Sequence, residues 1–257
     1  MSYYSGMTAL VTGASAGFGE AFARRLAAAG ARVVLVARSE DKLRALADEI
    51  GGGAIPIAQD LEQPGAAGAL CERLEAEGVE VDVLINNAGF GLKGRFLTHD
   101  PDAVEGMVAL NCGALAGLAR RLLPGMVERG RGGVLNVGSM SAYQPTVDFS
   151  TYAATKAFVL SLSQALHYEA RGTGVHVSCF LPGPIPTSFG PRANMDEAWL
   201  NRGQTPDDAA RAGLDALARN RREAPMGIKN TLQAFGTRLT PYWLLLRLSE
   251  RYMRGRA

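Results

Sequence analysis

Short apolar runs and longer helical stretches alternate along this chain as far as about residue 180. Runs at 7–12, 32–37, 54–59, 81–86, 133–138 and 175–180 are dense in Val, Leu, Ile and Ala. Near-continuous apolarity over a few residues describes a strand covered on both faces. Stretches at 17–29, 40–50, 64–77, 101–129 and 152–170 instead place apolar residues three and four apart, the period of a helix with one buried side. The predicted product is an α/β fold: a doubly wound parallel sheet with helices on both faces. Its ligand site is expected at the carboxyl ends of the strands. Pro124-Gly125 falls inside the fourth helical stretch, where the proline ring is expected to kink or split it.

The first run ends in Thr12-Gly13-Ala14-Ser15-Ala16-Gly17-Phe18-Gly19, directly before a helix rich in Ala, Leu and Arg. Glycines let a loop turn tightly and approach phosphates, and a helix N-terminus offers unpaired N–H groups and a favourable dipole. Strand, glycine loop and helix start together describe a dinucleotide pyrophosphate site; a plain strand–helix connection is the alternative. The second run ends in Ala37-Arg38-Ser39. A carboxylate there would bond the ribose 2′-hydroxyl of NAD, whereas a guanidinium suits the 2′-phosphate of NADP. Arg38 therefore favours NADP(H), with NAD(H) as the weaker alternative, although a solvated residue at a helix start is the plainer account of it.

Tyr152 and Lys156 stand four apart at the start of the fifth helical stretch, so phenol and ammonium share one side of the helix. A free phenol ionises near pH ~10, and a fixed cation nearby brings that value toward the working range. The pair alone is a weak signal, because Tyr and Lys meet at this spacing in many helices.

In combination these residues resemble the short-chain dehydrogenase/reductase family, in its compact single-domain branch, from Met7 to about Thr187. Thr12 to Gly19 is similar to the family's T-G-x3-G-x-G loop, with Gly13, Ser15, Gly17, Phe18 and Gly19 as cofactor contacts. Asp60 and Leu61 match the adenine-contacting position. Asn86-Asn87-Ala88-Gly89 matches the segment that runs along the cofactor, through Asn87, Ala88 and Gly89. Pro182-Gly183-Pro184-Ile185-Pro186-Thr187 matches the nicotinamide segment, through Pro182, Gly183, Ile185 and Thr187. The resemblance implies a Rossmann-type fold and a catalytic tetrad of Asn111, Ser139, Tyr152 and Lys156. Tyr152 would be acid in reduction and base in oxidation, and Lys156 would hold the ribose hydroxyls and lower the Tyr152 pKa. Ser139 would bond the substrate oxygen, and Asn111 would hold a water linking Lys156 to solvent. The implied activity is NADP(H)-dependent hydride transfer to or from a carbonyl or alcohol. A sensor or scaffold that binds NADP(H) with little turnover is the alternative.

Length and composition narrow the setting. The 257 residues suit one dinucleotide-binding oxidoreductase domain, 1–257, with a substrate lid at 188–204 and a helical extension at 229–257. A net charge of +2 gives no reason to invoke nucleic acid. Cys71, Cys112 and Cys179 show no metal-ligand spacing and suit a reduced, cytoplasmic compartment; no metal is expected. The first residues lack the basic start of a signal peptide, and no apolar run reaches the ~18 residues of a membrane span. Phe90, Tyr143, Phe149, Phe189, Met195 and Trp199 suggest an apolar pocket for a medium to bulky substrate, with core packing as the alternative. Arg95 and Arg192 are the candidates for holding a substrate carboxylate. Thr205-Pro206-Asp207-Asp208 is a capped helix start. From 225 onward six basic residues face the single acid Glu250, a net charge of +5, and 241–253 reads as an amphipathic helix. That helix is expected to pack on its own domain or on a second subunit; a lid or a weak membrane-surface contact is the alternative. Homodimer or homotetramer is the assembly implied by the resemblance.

Overall fold

The computed structural model describes residues 2–185, 193 and 204–254. Seven parallel strands form one sheet: β1 (Thr8–Thr12), β2 (Arg32–Ala37), β3 (Ile55–Ala58), β4 (Val83–Asn86), β5 (Gly132–Val137), β6 (Val175–Leu181) and β7 (Glu223–Pro225). Their order is β3-β2-β1-β4-β5-β6-β7, so the winding reverses between β1 and β4. In such a sheet the crevice at the reversal is where ligands bind. Nine α-helices are described: α1 (Gly17–Ala28), α2 (Glu40–Ile50), α3 (Ala66–Ala76), α4 (Pro101–Val108), α5 (Leu115–Glu128), α6 (Ser150–Glu169), α7 (Pro206–Ala218), α8 (Ile228–Leu239) and α9 (Tyr242–Arg254).

Apolar strand residues alternate between two cores. Ala9, Val11, Val33 and Leu35 face α1, α2 and α7, where Phe22, Leu26, Leu43, Leu46 and Leu217 are buried. Leu10, Val34 and Val36 face the opposite layer, with Leu70 and Leu74 of α3 and Leu118 and Met126 of α5. This two-residue alternation, with both sides apolar, is why the strands read as continuous runs. Gly213 of α7 lets that helix close on Phe22: a Cβ there would lie 3.0 Å from the ring.

One expectation shifts. The 101–129 stretch is not one helix interrupted at Pro124. α5 continues through Pro124 as one element, and the interruption is a π-helical turn at Ala109–Ala114. Pro124 lies on the exposed side of α5, where water can serve the carbonyl whose partner N–H is missing. The π-turn instead carries Asn111, whose side chain is buried and hydrogen-bonded to Phe90 and Thr155. The region after α7 forms the three-residue β7 beside β6. α7 begins at the expected cap: Thr205 and Asp208 complete a reciprocal capping box, with Pro206 in the first turn.

Candidate active site

The loop after β1 is built by close approach. Gly13 and Gly17 have φ of +68° and +58°, left-handed values that favour glycine. A Cβ on Gly19 would overlap the Gly13 carbonyl oxygen outright and reach 2.8 Å from Asn87 Nδ2. Ala16, which precedes α1, places no side-chain cap on the first turn of the helix. An opening lined by backbone at the start of α1 therefore fits an anion such as pyrophosphate.

Thr12 and Asn87 lace this loop to the loop after β4. Thr12 Oγ1 accepts from the Asn87 and Ala88 amides at 3.0 and 2.9 Å. Asn87 Nδ2 donates to the Thr12 carbonyl at 2.9 Å. Asn86, next in the chain, points the other way. Its Nδ2 donates to Asn136 Oδ1 at 2.9 Å, Asn136 donates to Ser163 Oγ, and Ser163 donates to the Val159 carbonyl. This buried chain fixes β4, β5 and α6 against one another, directly beneath the site.

One cavity of about 870 Å³ runs along the strand ends. Gly13, Ser15, Gly17, Phe18, Arg38, Asp60, Leu61, Asn87, Ala88 and Gly89 line one end. Ser139, Tyr152, Lys156, Pro182, Gly183 and Ile185 line the other. Gly19 and Asn111 stand just behind the wall, and Thr187 lies outside the described residues. Asp60 does not cap α3, which starts at Ala66; its Oδ1 accepts from the Glu62 amide at 3.0 Å and shapes the loop. Arg38 is half-exposed at the cavity edge, and its Nη1 lies 3.3 Å from Glu62 Oε1.

At the other end Tyr152 and Lys156 are almost fully buried, 7% and 6% exposed. Tyr152 stacks on Phe149, with ring centroids 4.3 Å apart, and its hydroxyl hydrogen-bonds with Ser139. Ser139 Oγ also accepts from the Ser141 amide at 3.2 Å, at the start of the 3-10 turn Met140–Tyr143. Lys156 Nζ donates to the Val137 carbonyl at 2.8 Å and sits 5.6 Å from the Tyr152 ring centroid. Asn111 Oδ1 accepts from the Phe90 amide at 3.1 Å, and its Nδ2 donates to the Phe90 carbonyl and to Thr155 Oγ1. Gly89 lets this strand end pass close by: a Cβ there would lie 2.8 Å from Asn111 Oδ1 and 3.8 Å from Lys156 Nζ. Thr155, which sequence reasoning missed, ties Asn111 to the Tyr152 carbonyl. Its place between Tyr152 and Lys156 was the only signal that could have found it.

The protonation pattern departs from expectation. Burial raises the Tyr152 pKa to about 12, opposed by the Ser139 hydrogen bond. Burial also lowers the Lys156 ammonium to about 8, opposed by the nearby Cys179 and Cys112. Burial thus outweighs the expected lowering of the phenol, and the Lys156 ammonium is directed at the Val137 carbonyl. At neutral pH the cavity therefore holds a protonated phenol beside a mostly protonated amine.

Several pocket candidates fall elsewhere. Phe149 lines the cavity, but Phe90 is core and Tyr143 turns away, its hydroxyl 3.3 Å from Glu223. Arg95 is not on the lining. Phe189, Arg192, Met195 and Trp199 lie outside the described residues, as does most of 188–204. The wall is instead completed by α8 and α9, through Asn230, Gln233 and Thr237 and through Leu245, Leu248, Tyr252 and Met253. α9 is held on its own domain: the Val147 amide donates to Ser249 Oγ at 3.0 Å, and Arg254 pairs with Asp148 at 3.0 Å. Among the described residues no helix is long and apolar enough to cross a membrane.

Residues 7–198 match the family profile described as short chain dehydrogenase. The NADP-dependent 3-hydroxy acid dehydrogenase YdfG of Salmonella typhi is 39% identical over 181 residues, 70% of this chain and 73% of the relative. A short-chain dehydrogenase from Sphingobium yanoikuyae, solved with NADPH, superposes with a TM-score of 0.82. It is 34% identical, covering 91% of this chain and 93% of the other. The bulky-bulky ketone specific alcohol dehydrogenase of Comamonas testosteroni gives 0.78 at 29% identity, covering 91% and 92%.

Proposed function

Because this chain belongs to the short-chain dehydrogenase family, we propose that it is an oxidoreductase acting on hydroxyl or carbonyl groups, with NADP(H) preferred over NAD(H). We propose further that its substrate is a medium to bulky, apolar carbonyl or alcohol. The observation that carries the reading is that Ser139, Tyr152 and Lys156 share one cavity with the glycine loop. The NADP-dependent relative, the NADPH-bound neighbour and Arg38 at the cavity edge support the cofactor preference. Leu245, Leu248, Met253 and Phe149 on the lining support an apolar substrate, as does the bulky-ketone neighbour.

When bound, the nicotinamide supplies or accepts the hydride. The rest falls to side chains and backbone. Gly13, Ser15, Gly17, Phe18 and Gly19 hold the pyrophosphate at the start of α1. Arg38 takes the 2′-phosphate, Asp60 and Leu61 the adenine, and Asn87, Ala88 and Gly89 the stretch between. Pro182, Gly183, Ile185 and Thr187 hold the nicotinamide end, and Lys156 the adjacent ribose hydroxyls. Ser139 and Tyr152 hydroxyls donate to the substrate oxygen and steady the negative charge that grows there. In reduction Tyr152 gives up its proton to that oxygen; burial keeps the phenol protonated and ready for this at neutral pH. Lys156 offsets the resulting phenolate, and Asn111 holds the water through which the proton is replaced. Oxidation needs the phenolate first, so it is favoured at high pH.

The same proposal makes 1–257 a single domain in which 188–204 is the substrate lid. A cytoplasmic setting belongs to it on the cysteine pattern, and a homodimeric or homotetrameric assembly on family resemblance. The test follows NADPH absorbance, with NADH in parallel, against a panel of aldehydes, ketones and quinones. Turnover with NADPH on apolar ketones is expected. Tight NADPH binding with no turnover on any compound would favour the sensor or scaffold reading.

A further inference from the structure

We propose that the outer face of α8 docks on an anionic lipid surface. The helix has two opposed sides. Asn230, Gln233 and Thr237 face the cavity. On the other side Ile228, Leu232, Phe235 and Leu239 recur at i, i+4, i+7 and i+11, and they are 64–80% exposed. Tyr242 and Trp243, 71% and 60% exposed, continue the apolar surface past the corner at Pro241. Scattered exposed leucines are ordinary; a continuous row of long apolar side chains marks a surface that something covers.

Charge indicates what covers it. Lys229 begins the row, and Arg247 and Arg251 follow it on α9. Lys229 and Arg251 form no ion pair among the described residues, and Arg247 lies 5.5 Å from the Trp243 ring centroid. Glu250 is the one acid from 226 to 254, and Arg254 takes it at 2.5 Å. The surface therefore combines an apolar row, a Trp–Tyr pair and uncompensated cations. That is the composition of a helix lying in a membrane interface, with aromatic rings at headgroup level and basic side chains on lipid phosphates. A second copy is the weaker candidate. Two-fold docking on this surface would bring two sets of Lys229, Arg247 and Arg251 to one seam, while Glu250, the one acid of 226–254, is already paired with Arg254. The apolar row of α8 is thus the centre of the anchor, flanked by Tyr242, Trp243, Arg247 and Arg251, while Leu245 and Ser249 of the 241–253 segment are buried on its own domain.

The test uses the full chain and extruded phosphatidylcholine vesicles, with and without phosphatidylserine. Sedimentation measures binding, and fluorescence of Trp243 reports immersion, with Trp243→Phe assigning the signal. Binding to the anionic vesicles at least ~10-fold tighter than to the zwitterionic ones is expected, weakening with salt. A blue shift of the Trp243 emission should accompany it. The double variant Leu232→Glu, Phe235→Glu lies outside the cavity lining and should lose vesicle binding at least ~10-fold. Its thermal midpoint and NADPH affinity should stay at wild-type values, which separates this surface from the site above. No sedimentation with anionic vesicles overturns the proposal, as does undiminished binding by the double variant. A lipid-indifferent oligomer that the double variant turns into monomers by light scattering also overturns it, and would make the row a subunit contact.

Discussion

Arg38→Ala separates the two nicotinamide dinucleotides, and its size follows from one ion pair. The guanidinium lies 3.3 Å from Glu62, and Arg38 is half-exposed. Such an exposed pair is worth about 0.2–1 kcal/mol. A charge-assisted hydrogen bond from Arg38 to a 2′-phosphate contributes about 1.5–3 kcal/mol. The guanidinium gives up part of the Glu62 pair to make it, which leaves a net of about 1–2 kcal/mol, or ~5–30-fold in affinity. NADH carries no 2′-phosphate and draws on none of this. Titration by the quenching of intrinsic fluorescence should therefore show NADPH affinity falling ~5–30-fold in Arg38→Ala, with NADH affinity within about twofold of wild type. Glu62→Gln should move the other way, tightening NADPH, since it releases the guanidinium and removes a carboxylate from the cavity edge. Equal loss for both dinucleotides would mean that Arg38 acts through loop structure; no loss for either would remove it from the site.

Lys156 gives a stability test with a definite sign. Burial lowers its pKa from 10.5 to about 8, so between those values the unfolded chain binds more protons than the folded one. The penalty for burying the ammonium is full below pH ~8 and is relieved as pH rises toward ~10.5, so stability climbs in that window. The thermal midpoint of cofactor-free wild type, measured against Lys156→Met, should rise from pH 7.5 to 9.5; a flat or falling difference would contradict the buried cation. Gly19→Ala sets a methyl against the Gly13 carbonyl and Asn87, an overlap of the kind that costs about 1–3 kcal/mol. NADPH affinity should drop by ~10-fold or more, and unchanged affinity would show that the loop has room to spare. With Tyr152 raised to about 12, alcohol oxidation should quicken as pH rises from 7 to 9 while ketone reduction stays nearly level; an oxidation rate independent of pH would argue against a phenolate base.

What the chain disclosed about itself divides by physical cause. Strands buried on both faces advertise themselves as unbroken apolar runs, so β1 to β6 were legible to within a residue or two. The loop glycines were legible because backbone approach permits few other residues at those positions. The π-turn was not. It carries Asn111, whose side chain meets Phe90 and Thr155 at once, tertiary contacts that leave no mark on local periodicity. Pro124 carried the obvious local signal and proved harmless on an exposed helix face. For Phe90 and Tyr143 the sequence left pocket and core both open, because neighbours of motif residues in a loop can point opposite ways; neither lines the cavity. Amphipathy in 241–253 was visible, but what each face meets depends on the loop at Val147 and Asp148, far away in sequence. Spacing places Lys156 on the Tyr152 side of the helix, but the depth of burial that raises the phenol leaves no mark in that spacing.

Tyr152→Phe keeps the ring, its stacking on Phe149 and the shape of the cavity while removing one hydroxyl. Steady-state NADPH oxidation on the best ketone of the panel, measured beside NADPH binding to the same preparation, is the sharpest single measurement. Turnover should fall by ~10²–10⁴-fold, the usual worth of a positioned proton donor, with cofactor affinity within about twofold of wild type. A phenylalanine variant that reduces the ketone at an undiminished rate would show that the proton comes from elsewhere.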